Sequence, residues 1–223
     1  MGLIVLGICL AILGFAIVSI SVGTSDTDQI EITGSQSVQS MLGGIQQDDS
    51  RLGLPGAEVT LEVFNDMQCD PCSDWNRDVI VPVIRGPVRD GEVNLVFHHF
   101  PMTQSGFFLG AYGAVAAAKQ DYEWHFIQLF FANQDEAEEQ SQVDEEFLDN
   151  VARGIINLNV EQWQRDRDDR EEIEETLVED EELTAERGFP AEPAVVVEGP
   201  GGSEELLESP SLAEVRDAIE RVR

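Results

Sequence analysis

The sequence predicts an α/β fold with an α-helical insertion, preceded by an N-terminal transmembrane helix. Three observations predict it. β-rich runs flank a helical middle, over residues 59–64 and 93–100 on one side and 194–197 on the other. A long middle stretch, about 104–187, reads mostly helical. An uncharged apolar run fills residues 3–20. Strands, then a block of helices, then strands again is the order of an α/β domain whose sheet is interrupted by helices.

The apolar run is 18 residues long, about the length that crosses a hydrocarbon core. No Lys or Arg precedes it and no clear Ala-x-Ala follows, so an uncleaved anchor is favoured over a cleaved signal peptide. Cys9 lies inside it, where apolar packing is its expected role. Residues 1–23 are therefore read as membrane anchor or signal peptide. Residues 24–50, rich in Ser, Thr, Gly, Gln and Asp, read as a flexible linker. Residues 51–223 are the expected folded domain.

Within that domain, residues 59–64 form a strand ending in the polar turn Asn65-Asp66. Cys69-Asp-Pro-Cys72 follows and opens a helix to about Ile84, with a kink expected at Pro82. Residues 93–100 form the second strand. Residues 105–119 are small and Ala-rich, suited to close helix packing, and 122–131 are aromatic-rich. Phe147/Leu148, Val151/Ala152 and Ile155/Ile156 recur every four residues, one apolar helix face. Asn159-x-x-Gln162 reads as a helix start, and Arg187-Gly188 as a helix end. Residues 194–197 are a third strand, Leu206-Leu207 a short fourth, and 211–222 a closing amphipathic helix.

The chain has 44 acidic and 13 basic residues, a net charge of -31, and Lys119 is its only lysine. Such a chain lacks the cations that hold nucleic acid by its phosphates. The charge fits either a salty milieu, where screening relieves self-repulsion, or a soluble exported surface. Between residues 135 and 186 lie 21 acids and 4 arginines, read as solvated helix faces.

The chemistry concentrates at Cys69-Asp70-Pro71-Cys72. Thiols at i and i+3 at a helix start can close a disulfide, and the first sulphur sits where free N–H groups and the helix dipole favour thiolate. Thiolate is the attacking species in disulfide exchange, and the second thiol can resolve the mixed disulfide. Pro71 suits the first turn, where its missing N–H costs nothing. A zinc site needs four ligands, and there is no second cysteine pair. His98 and His99 are adjacent on a strand and point to opposite faces, so no metal is expected. An inert structural disulfide is the remaining alternative.

Residues 51–223 resemble the DsbA-like thiol-disulfide oxidoreductases of the thioredoxin fold. Residues 56–72, with the CxxC, are similar to that family's first core strand and active site. His98-His-Phe-Pro101 is similar to its next strand end, and Phe131-Ala-Asn-Gln134 to a loop in its helical insertion. Residues 188–197, with Pro193, are similar to its cis-proline segment.

The resemblance implies a thioredoxin-like fold with an α-helical insertion. It implies a cis peptide at Glu192-Pro193 and a loop there that offers backbone to an extended substrate. Cys69 would be the attacking cysteine and Cys72 the resolving one. No metal or organic cofactor is implied, because the Cys69–Cys72 pair carries the electrons. The expected partners are proteins bearing thiols or disulfides and a membrane redox protein that recycles the site. The expected location is membrane-anchored, with the domain on the extracytoplasmic side. A non-catalytic binding or chaperone-like module on the same fold is the alternative.

Two departures from the family pattern bear on tuning. The position six before Cys69 commonly carries a buried acid; here it is Val63, and the acid is Glu62, one residue off. A one-residue shift turns a side chain to the other face. The residue before Pro193 is more often Thr or Val; here it is Glu192. With Asp70, it would put negative charge near Cys69, disfavour the thiolate and weaken the site as an oxidant. The same acids would favour basic or polar substrate segments; an apolar groove of Trp75, Met102 and Phe189 is the competing expectation.

Overall fold

The structure, a computed structural model, describes residues 30–100, 109–139 and 143–223. Among these residues the sheet has six strands: β1 (Gln47–Asp48), β2 (Arg51–Leu52), β3 (Val59–Asn65), β4 (Val93–His99), β5 (Ala194–Gly199) and β6 (Gly202–Leu206), in the order β1-β2-β4-β3-β5-β6. β3 and β4 are parallel, and every other neighbouring pair is antiparallel. The alternation along β3 decides what each face meets. Val59, Leu61 and Val63 enter the main core, while Phe64 joins Phe100, Phe189, Ala194 and Val196 on the opposite side. Each fully buried side chain of this size contributes about 1.5–3 kcal/mol.

A parallel pair needs a crossover. Here it begins as α2 (Asp70–Trp75), widens into a π-helical turn at Asn76–Ile80, continues as α3 (Val81–Val83) and ends in a second wide turn at Ile84–Val88. The kink expected at Pro82 falls elsewhere. The backbone stays helical on both sides of Pro82, and the Val81 N–H reaches back to the Asn76 carbonyl, five residues away. The wide turn just before the proline gives its ring room. The break comes at Gly86 (φ −108°, ψ −106°), the residue before Pro87, where proline disfavours helical backbone.

Between β4 and β5 lie α4 (Leu109–Ala118), α5 (Glu123–Phe131), α6 (Gln134–Glu139), α7 (Glu145–Gly154), α8 (Val160–Asp168) and α9 (Arg170–Arg187). The small residues of α4 permit close approach: a Cβ on Gly113 would lie 2.3 Å from Phe126 Cζ. The Asn159 side chain accepts from Gln162 N at the start of α8, and Gly188 (φ 68°) ends α9 in the left-handed region. The acids of α9 are mostly exposed, as a solvated face requires. α10 (Leu212–Val222) closes the fold behind a complete Ser211–Glu214 capping box.

Residues 24–50 were expected to be a linker, and the described part of them is not. α1 (Ser35–Leu42) buries Val38, Met41 and Leu42, and Ile30 is buried before it. Asn133 fastens this segment, accepting from Thr33 N at 2.8 Å and donating to Thr33 O at 3.1 Å. The physical reason is one apolar stripe at i, i+3 and i+4, too short to stand out from the polar residues around it. The anchor expected over 3–20 lies outside the described residues. Among the described residues, no helix is long and apolar enough to cross a membrane.

Candidate active site

β3 delivers the chain to the site through a short turn. The Asp66 carboxylate accepts from Gln68 N at 2.8 Å, and Cys69 N donates to Asp66 O at 3.4 Å. Cys69 then caps α2 with extended backbone (φ −99°, ψ 114°). Asp70 and Pro71 occupy the first helical positions, where proline's missing N–H has no partner to lose. Cys69 and Cys72 are joined, with S–S 2.13 Å and Cα–Cα 5.2 Å. Their exposure differs: Cys72 has none, while Cys69 is only partly buried. A partner therefore reaches the Cys69 sulphur first.

The second loop of the site comes from the start of β5. Ala194 pairs with Phe64 at the end of β3, which puts the residues before it beside the turn carrying Cys69. The Glu192-Pro193 peptide is cis and Pro193 is buried. Pro193 O accepts from Ser209 N at 3.1 Å. Glu192 reaches further than the sequence indicated: one of its carboxylate oxygens and the two sulphurs all lie within 4.8 Å of one another. Its Oε2 is buried without a hydrogen-bond partner. Burial pushes this carboxyl above the ordinary range; the charge of Asp66 adds to the rise, and a hydrogen bond from its own backbone opposes it.

Glu62 goes to the other face, as the one-residue shift requires. It lies 3.3 Å from Arg187 Nη2. Burial raises its carboxyl most, against the lowering influence of His98 and Arg187. His98 sits on that face too, stacked on Phe64 and bonded to Asp180 at 2.8 Å. His99 turns into the main core and meets Glu123 at 3.0 Å, both fully enclosed. Burial opposes a charged His99, but the hydrogen bond and charge of Glu123 outweigh it and raise its pKa. The one sign of this buried pair in the sequence is the acid within the aromatic run at 122–131.

Two of the three residues expected to line an apolar groove, Trp75 and Phe189, are buried instead. Trp75 is buried with its indole N–H donating to Pro210 O at 2.7 Å. Phe189 packs edge-on against Phe64 in the smaller core. Met102 lies outside the described residues. Among the described residues, Cys69, Cys72 and Glu192 are the one convergent set of potential metal ligands, and the disulfide occupies two of the three.

The thioredoxin family model matches residues 46–220. A probable disulfide bond formation protein D of Bacillus anthracis is 27% identical over 172 residues, 76% of each chain. Its counterpart in Bacillus cereus is 26% identical over the same share. Oxidised BdbD from Bacillus subtilis superimposes with a TM-score of 0.63 at 20% identity, covering 79% of this chain and 96% of that one. Wolbachia pipientis alpha-DsbA1 superimposes at 0.65 and 20% identity, covering 85% and 96%. The chain belongs to the thioredoxin family, with the DsbA-like architecture of the thiol-disulfide oxidoreductases.

Proposed function

We propose that this thiol-disulfide oxidoreductase exchanges disulfides with protein substrates through Cys69 and Cys72, held by residues 3–20 on the extracytoplasmic side of a membrane. The carrying observation is the unequal exposure of the two cysteines at the start of α2. A substrate thiolate attacks Cys69 Sγ, the Cys69–Cys72 bond breaks, and its electron pair leaves on Cys72 Sγ. The substrate's second thiol then attacks its own sulphur in the mixed disulfide. Cys69 is released, the substrate leaves oxidised by two electrons, and the dithiol has gained them. In the other direction Cys69 attacks a substrate disulfide and Cys72 resolves it. No metal or organic cofactor is required, and a membrane redox partner resets the dithiol. The backbone beside Pro193 offers an edge to an extended substrate segment, as strand addition does elsewhere.

The acids set the poise. Glu192 beside the sulphurs, with Asp70 next to Cys69, disfavours the thiolate and makes the protein a weaker oxidant than the archetypal periplasmic oxidase. The role of Cys69 is tested by trapping: Cys72→Ser accumulates a mixed disulfide with a thiol peptide through Cys69, and Cys69→Ser does not. Equal trapping by both variants contradicts the assignment.

A further inference from the structure

Cys72 has no exposed surface, so the thiolate that leaves on it when the disulfide opens emerges away from water. A buried thiolate is disfavoured unless a proton or a positive group meets it. Val63, six residues before Cys69 on β3, is apolar and packs in the main core. Glu62 faces away and is engaged by Arg187. Among the described side chains, Glu192 is the acid that converges on both sulphurs, and its Oε2 is buried with no partner of its own.

We infer that Glu192 is the proton-transfer residue of the Cys69–Cys72 site: protonated, it gives its proton to Cys72 Sγ as the disulfide opens, and ionised, it takes that proton back when Cys72 resolves a mixed disulfide. The inference rests on the exchange reading above and adds a residue to it. In opening, the substrate–Cys69 bond forms, the Cys69–Cys72 bond breaks, and the Glu192 proton ends on Cys72 as a thiol. In resolution, the Cys72 proton passes to the carboxylate, the Cys69–Cys72 bond forms, and the substrate leaves as thiolate. Burial and Asp66 both favour holding the proton on Glu192, which suits it to donate. The groups facing it are Asp66 from the turn after β3, Cys69 at the cap of α2 and Cys72 within α2.

The two half-reactions therefore respond to Glu192 with opposite pH trends. The test is stopped-flow exchange of the full chain with a thiol peptide, in the opening and resolving directions, between pH 4 and 8. Glu192→Gln, checked for an intact disulfide and native circular dichroism, should slow opening on the order of a hundredfold at the acid end. That loss should shrink as pH rises. In resolution the loss should grow with pH. Glu192→Asp should restore part of both rates, and Asp66→Asn should move the transition to lower pH. Thiolate absorbance supplies the contrast: if Glu192 acted only by its charge, Glu192→Gln would favour the Cys69 thiolate without slowing opening. Wild-type rates in Glu192→Gln at every pH, or a uniform loss with no pH trend, overturn the inference. A wild-type disulfide that never exchanges instead overturns the exchange reading, a separate outcome.

Discussion

Neighbouring residues of β3 and β4 supply both faces of one sheet, and the two faces hold their charges differently. On the main-core side, His99 and Glu123 bond to each other with side-chain exposures of 4% and 2%. On the other side, Glu62 and Arg187 meet at exposures of 19% and 25%, with Glu198 and Glu205 also near Arg187. Breaking a pair sealed from water strands an uncompensated polar group, whereas breaking one near solvent lets water replace the partner. A polar strand residue thus carries different weight according to which way the pleat turns it.

The largest expected effect breaks the enclosed pair. His99→Ala should lower unfolding free energy by about 3–5 kcal/mol, read from urea titrations. A loss below about 1 kcal/mol would show that Glu123 finds another partner. Because Glu123 raises the His99 pKa, the stability that His99 protonation contributes is complete below the unfolded histidine value near 6.5. It fades as pH climbs through the raised folded value.

A second effect has the opposite sign in pH. His125 is pushed down to about 4 by burial, and its Nδ1 meets Gln47 Nε2 at 2.7 Å. A depressed folded value means stability is complete above about pH 6.5 and is lost as pH falls towards about 4. The loss should reach roughly 3 kcal/mol. His125→Gln should remove that slope from unfolding measured across this range; an unchanged slope would assign acid lability elsewhere.

The smallest effect belongs to the wetter face. Arg187→Met should cost within about 1 kcal/mol by the same titrations. A cost equal to that of His99→Ala would erase the distinction between the faces.

Much of this was legible in the sequence. The period of two in β3 and β4 placed Glu62 and Val63 on opposite faces and separated His98 from His99. The CxxC and Pro193 were readable from their spacing and resemblance. What escaped notice depends on contacts between distant segments. α1 owes its order to packing, and its apolar stripe of Val38, Met41 and Leu42 is too short to announce it. Glu123 reads as an ordinary first-turn acid of α5 until His99, 24 residues earlier, is brought to it. Glu192 was expected near Cys69; its reach to Cys72 as well arises from the β3–β5 pairing. Pro82 misled because a wide turn ahead of a proline absorbs the strain that a kink would otherwise relieve.

The most direct measurement is the equilibrium of the Cys69–Cys72 disulfide with glutathione. Reversible exchange is expected, with a potential more reducing than about -120 mV, the value of a strong periplasmic oxidase. Replacing Asp70 and Glu192 together by neutral residues should raise it. A potential at or above about -120 mV, or no rise in that double variant, would contradict the role given to the acids. A bond that does not exchange at all would contradict the enzyme itself.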